Sequence, residues 1–112
     1  MKSSDFKRSD RLSDQIKMEI SSILRNDVRD PRLEGITIIK VEISNDISRA
    51  YIYFSALNSF KQIDLIEVEQ ALKRAKGYIR VILGKRLKIK RLPEISFLQD
   101  QQNLIQWMVF YY

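Results

Sequence analysis

The sequence predicts one α+β domain with its elements in the order helix, strand, strand, helix, helix, strand. Three patterns carry that prediction. An apolar repeat at three- and four-residue steps stops at Asp30-Pro31, two β-branched runs are joined by Asn45-Asp46-Ile47-Ser48, and a second helical repeat gives way after Gly84 to alternating apolar positions. With 112 residues, 45% of them hydrophobic, the chain can bury about two thirds of the surface its unfolded form exposes and has no room for a second domain.

Over residues 10–28, Leu12, Ile16, Ile20, Ile23 and Leu24 fall on one helical face, while Arg11, Asp14, Lys17 and Ser21 take the others. Residues 1–8 are expected as a flexible basic arm ahead of this helix. Pro31 ends the pattern, because proline lacks a backbone donor and holds the preceding residue in extended geometry. Gly35 closes the connection. In residues 36–44 the apolar positions change phase, with Ile36 and Ile38 in one register and Ile39, Val41 and Ile43 in the other. Such a slip predicts a bulge or two buried faces. Residues 49–56 alternate more cleanly, placing Ala50, Ile52, Phe54 and Ala56 on one face and Arg49, Tyr51, Tyr53 and Ser55 on the other. The short polar linker makes the pair a hairpin. Tyr51 and Tyr53 either cover the sheet or offer stacking surfaces for bases.

Leu65, Val68, Leu72, Ala75, Ile79 and Ile82 form the second helical repeat. By period alone it is one helix running past Gly77. An interior glycine costs about 1 kcal/mol relative to alanine, so a kink at Ala75-Lys76-Gly77 competes with continuity. Pro93, Ile95 and Phe97 then predict a final strand with its proline near the start. Residues 101–112 form an uncharged tail rich in aromatics, with Trp107, Phe110, Tyr111 and Tyr112. A short helix packed on the sheet is the expectation, and an apolar segment that touches a partner is the alternative.

Cysteine and histidine are both absent. Disulfides, thiolate metal sites, the commonest zinc ligands and the usual nucleophile and base pairs go with them. No catalytic residue, metal site or cofactor is expected, and the protein is not expected to be an enzyme. The N-terminus has no apolar core to serve as a signal sequence, and no apolar run reaches the roughly 18 residues of a membrane span, so a cytoplasmic location away from membranes is expected.

Charge supplies the functional signal. Nine of the nineteen residues from Lys73 to Arg91 are basic and none is acidic, while the other 93 residues carry a net charge of −3. The overall charge of +6 therefore comes entirely from one segment. Crowded like charges raise the free energy of the compact state, and this arrangement makes most sense opposite a polyanion. Lys73, Lys76 and Arg80 form a stripe beside the apolar face, with Gly77 and Gly84 adjoining it. A break at Gly77 would also create a helix N-terminus suited to phosphate oxygens. Solvated surface residues that only maintain solubility are the alternative.

Several strings, in order, resemble the ribosome-binding factor A family, small bacterial assembly factors of the 30S ribosomal subunit. They are Asp30-Pro31-Arg32-Leu33, Val41-Glu42-Ile43-Ser44-Asn45-Asp46, Ala50-Tyr51-Ile52-Tyr53, Ala75-Lys76-Gly77-Tyr78-Ile79-Arg80, Leu83-Gly84-Lys85, and Leu92-Pro93-Glu94-Ile95-Ser96-Phe97 with Asp100. The resemblance covers nearly the whole chain. It implies a KH-like fold of type II, αββααβ, with a three-stranded sheet packed on one face by three helices. KH domains clamp the nucleic-acid backbone with a Gly-X-X-Gly loop, which this chain lacks. The family replaces it by a kink at an Ala-X-Gly triplet, here Ala75, Lys76 and Gly77.

The resemblance further implies a non-catalytic protein that binds the 30S subunit through 16S rRNA during late maturation and is a monomer when free. The expected RNA contacts are Lys73, Arg74, Lys76, Gly77, Arg80, Lys85, Arg86, Lys88, Lys90 and Arg91. Lys7, Arg8 and Arg11 are a secondary contact, with Asp5, Asp10 and Asp14 interspersed. The alternative function is a protein-interaction module whose basic strip docks an acidic partner.

Overall fold

A computed structural model describes residues 2–56 and 65–100 of the chain. Helix α1 spans Lys2–Asn26, a 3-10 turn covers Pro31–Leu33, strands β1 and β2 span Thr37–Ile43 and Arg49–Ser55, helix α2 spans Leu65–Leu87, and strand β3 spans Glu94–Gln99. The sheet order is β1-β2-β3, with β1 and β2 antiparallel and β2 and β3 parallel. This is the expected α+β architecture, with one helix where two were expected after the hairpin.

The apolar repeat of α1 does what its spacing predicts, since Ile16, Ile20 and Ile23 are fully buried. Residues 2–8, expected as an arm, are the first turns of this helix. The helix ends before Pro31, where the amides of Asp27 and Val28 share the Ile23 carbonyl at 2.9 Å each. Asp30 then caps the 3-10 turn by accepting from the Arg32 amide at 3.0 Å.

The phase slip in β1 is a bulge. Ile38 pairs with Phe54 and Lys40 with Tyr53, which leaves Ile39 as the extra residue. The slip turns Val41 and Ile43 to the side of Ile38, where both pack on the core. Ala50, Ile52 and Phe54 of β2 and Ile95 of β3 are also buried there, against side chains from both helices. The helices therefore cover one face of the sheet. Tyr51 and Tyr53 lie on the other face, as the alternation of β2 predicts.

The hairpin loop is tied by one carboxylate. Asp46 Oδ1 accepts from Ser44 Oγ at 2.8 Å, Ser48 Oγ at 2.7 Å and the Ser48 amide at 3.2 Å. These hydrogen bonds, the Ser48 hydroxyl foremost, hold its pKa down at about 2. The loop also keeps Ile47 at a φ of 58°, a left-handed conformation that β-branched residues rarely adopt.

Candidate nucleic-acid interface

Helix α2 carries most of the cationic segment and runs unbroken through Ala75, Lys76 and Gly77. No helix end forms at Gly77, so its N–H is not released to receive a phosphate, and the expected division into two helices is corrected. The energetics explain why. Gly77 costs about 1 kcal/mol, but the helix beyond it buries Ile79 and Leu83 completely, each worth about 1.5–3 kcal/mol. Gly77 itself is exposed, and a Cβ built on it would meet nothing within 4 Å.

The ten residues expected to contact RNA separate into groups. Lys73, Arg74, Lys85, Lys88, Lys90 and Arg91 are exposed and make no ion pair within 4.0 Å with another described residue. Gly77 lies among them as bare backbone. Lys76 and Arg80, half-buried, flank the Glu94 carboxylate, with Lys76 Nζ 3.7 Å from Oε1 and Arg80 Nη2 3.8 Å from Oε2. Arg80 Nη2 also donates to the Leu92 carbonyl at 3.2 Å.

Arg86 is different. Its guanidinium donates to Glu19 Oε2 at 3.2 Å and to Asp27 Oδ2 at 2.7 Å, bridging α2 to α1. Two carboxylates offset its charge and hold the helices together, which sets it apart from the six exposed cations expected beside it as RNA contacts. Nothing in the sequence flags this, because the partners lie 59 and 67 residues away.

Lys88 follows α2 directly and adopts a φ of 53°, with its amide donating to the Gly84 carbonyl at 3.2 Å. This is the left-handed helix cap usually given to glycine. Lys85, Lys88, Lys90 and Arg91 thus gather at the C-terminal end of α2, where the helix dipole also favours cations. Between Arg74 and Lys85, four and seven residues along from Arg74, sit Tyr78 and Val81, 53% and 57% exposed. This apolar pair was not anticipated.

An open groove of about 360 Å³ runs between α2 and β3. Glu69, Lys73 and Lys76 are the charged residues of its helical wall, and Leu72, Ile95, Phe97 and Leu98 its apolar lining. On the outer face of the sheet, Lys40 Nζ stands 4.6 Å from the Tyr53 ring centroid and pairs with Glu42 at 3.2 Å. The Tyr53 hydroxyl donates to Glu42 at 3.3 Å, and burial followed by that carboxylate raises its pKa. Tyr53 is thus engaged with β1.

Arg8 and Arg11 are exposed on α1, a different element from the main cationic segment. The side chain of Lys7 and the aromatic tail 101–112 lie outside the described residues. Among the described residues, no cluster of acidic or other ligating side chains could hold a metal ion, and no helix is long and apolar enough to cross a membrane.

The family model described as ribosome-binding factor A matches residues 8–104. The chain belongs to the ribosome-binding factor A family. The ribosome-binding factor A of Pediococcus pentosaceus is 48% identical over 94 residues, covering 84% of this chain and 80% of that one. The ribosome-binding factor A of Staphylococcus carnosus is 39% identical over 106 residues, covering 91% and 90%. The crystal structure of ribosome-binding factor A from Thermus thermophilus superposes with a TM-score of 0.70 at 27% identity, over 81% of this chain and 94% of that one. A homology model of ribosome-binding factor A from Thermus thermophilus, fitted into the cryo-EM map of its complex with 30S, gives a TM-score of 0.64, also at 27% identity, over 79% and 90%. The KH-like fold implied by the resemblance stands with these ribosome-binding factor A structures.

Proposed function

We propose that this protein binds the 30S ribosomal subunit through phosphates of 16S rRNA and assists late maturation of the subunit without chemistry of its own. The carrying observation is the set of six cations on and just after α2, all exposed and without an ion pair within 4.0 Å among the described residues, in a segment, Lys73 to Arg91, that holds no acidic residue while the rest of the chain is net acidic. The Thermus thermophilus relative fitted into a 30S complex supports the choice of partner. The mechanism is differential binding. A protein that holds one rRNA conformer more tightly than another shifts the population by that difference and needs no catalytic group.

Lys73, Lys85 and Lys90 supply phosphate contacts in this proposal, with Arg74, Lys88 and Arg91 beside them. The test is a triple variant, Lys73→Glu, Lys85→Glu and Lys90→Glu, assayed by co-sedimentation with purified 30S subunits. These positions have no described ion pair to break, so the melting curve should stay close to that of the parent while binding is lost. Binding by the unmodified protein should also weaken with salt at a log-log slope of about −0.7 to −0.9 per phosphate neutralised. Undiminished binding by the triple variant, or a flat salt response, would overturn the RNA contact.

The exposed Tyr78 and Val81 favour a second reading, a protein partner docked on the outer face of α2. Nuclease digestion separates the two, since a protein-mediated complex survives removal of the RNA.

A further inference from the structure

Two kinds of ion pair coexist on α2. The pair from Arg86 to Asp27 is a short charge-assisted hydrogen bond at 2.7 Å. The pairs from Lys76 and Arg80 to Glu94, at 3.7 and 3.8 Å, lie outside hydrogen-bonding distance. The Glu94 side chain is 51% exposed, so water reaches the carboxylate that stands between the two cations. Its backbone is fixed all the same, because it opens β3 and its amide donates to the Ser48 carbonyl at 2.9 Å. Arg80 is incompletely satisfied: Nη2 has the Leu92 carbonyl, but Nε is shielded from solvent with no hydrogen-bond partner.

From this contrast we infer that Lys76 and Arg80 form an exchangeable phosphodiester site, which Glu94 occupies as an internal counter-ion until RNA displaces it. The inference rests on the RNA-phosphate proposal above. A loosely held carboxylate lowers the repulsion between two cations one helical turn apart at little cost in hydrogen bonds. A phosphate group carries more acceptor oxygens than a carboxylate, so it has more ways to contact Lys76 and Arg80 at once. Displacement leaves Glu94 free to turn into solvent. Arg49, its register partner on β2, is exposed there as well and makes no ion pair with another described residue.

Selectivity follows from the exchange. An isolated anion must compete with a tethered carboxylate at high local concentration. An RNA strand already held by Lys73, Lys85 and their neighbours delivers its next phosphate as an effectively intramolecular ligand. Glu94 thus acts as a positioning residue that keeps the site closed to stray anions and open to a polyanion anchored nearby.

The experiment compares the unmodified protein with Glu94→Gln and Glu42→Gln in binding to purified 30S subunits over a range of salt. Glu42→Gln adds the same unit of positive charge on β1, the far edge of the sheet, and controls for net charge. Glu94→Gln should bind about three- to tenfold more tightly at moderate salt, with Glu42→Gln much closer to the parent. The salt dependence of Glu94→Gln should be steeper than that of the parent, because the site then presents one more net positive charge to the RNA. Glu94→Ala makes the same comparison should the glutamine variant fold poorly. Unchanged or weaker binding by both Glu94 variants, or an equal gain from Glu42→Gln, overturns the exchange site. Undiminished binding by the Lys73, Lys85 and Lys90 triple variant overturns the RNA proposal itself, so the two failures are distinct.

Discussion

Arg86 Nη2 donates to Asp27 Oδ2 at 2.7 Å, tying the last turn of α2 to the residue that follows α1. The same guanidinium reaches Glu19 at 3.2 Å, so one side chain grips two points a little over two turns apart along α1. All three side chains keep about a third of their surface in water, which limits the stabilisation to roughly 1 kcal/mol. Arg86→Ala should lower stability by about that amount in urea unfolding while changing 30S binding little. A binding loss as large as that of the triple lysine variant, at full stability, would place Arg86 among the RNA contacts as well.

Gly77→Ala tests the continuity of α2. With nothing within 4 Å of the added Cβ and helical geometry on both sides, alanine should stabilise the protein by about 0.5–1 kcal/mol. Were the backbone to need a glycine-specific kink at this position, thermal denaturation would show a loss instead.

Lys88→Gly should separate stability from function. A non-glycine residue at a φ of 53° carries a cost of roughly 1 kcal/mol that glycine removes, so the variant should melt higher. It also deletes a cation proposed to face RNA, and 30S binding should weaken with a shallower salt slope. A variant that melts no higher would argue against the left-handed cap.

Asp46 makes folding sensitive to acid. Its folded pKa of about 2 lies below the ordinary 3.8, so its contribution is fully present above pH 3.8 and is lost as the pH falls toward 2. Asp46→Asn should melt lower than the parent at neutral pH, with the two curves converging as the pH is lowered through that window. Parallel curves would show that the Ser44 and Ser48 hydrogen bonds do not carry the effect.

The elements that alternation and helical period describe were readable from the sequence. Ile16, Ile20 and Ile23 are the buried stripe of α1, and Ala50, Ile52 and Phe54 the inward face of β2. Even the bulge at Ile39 showed as a phase slip, because apolar residues must return to the core side after an extra residue. The unbroken α2 was one of two readings, and a glycine penalty taken alone could not decide between them. The burial of Ile79 and Leu83 beyond it does.

The charge segment was readable as a concentration of cations, but which cations are paired was not. Glu19, Asp27 and Glu94 reach the segment only through tertiary contacts, and no local pattern marks them. Lys73 and Arg86 look alike in the sequence, yet one is open to solvent and the other bridges two helices.

The parallel pairing of β2 with β3 has a consequence for the order in which the molecule assembles. Antiparallel β1 and β2 need only their five-residue loop, but β3 must be carried across the sheet by the whole of α2 before it can find its neighbour. Ring closure over that distance is entropically slower, so β3 should be placed late. Glu94 arrives with it. A nascent chain would therefore expose its lysines and arginines without their resident carboxylate, and would hold polyanions less discriminately than the finished protein.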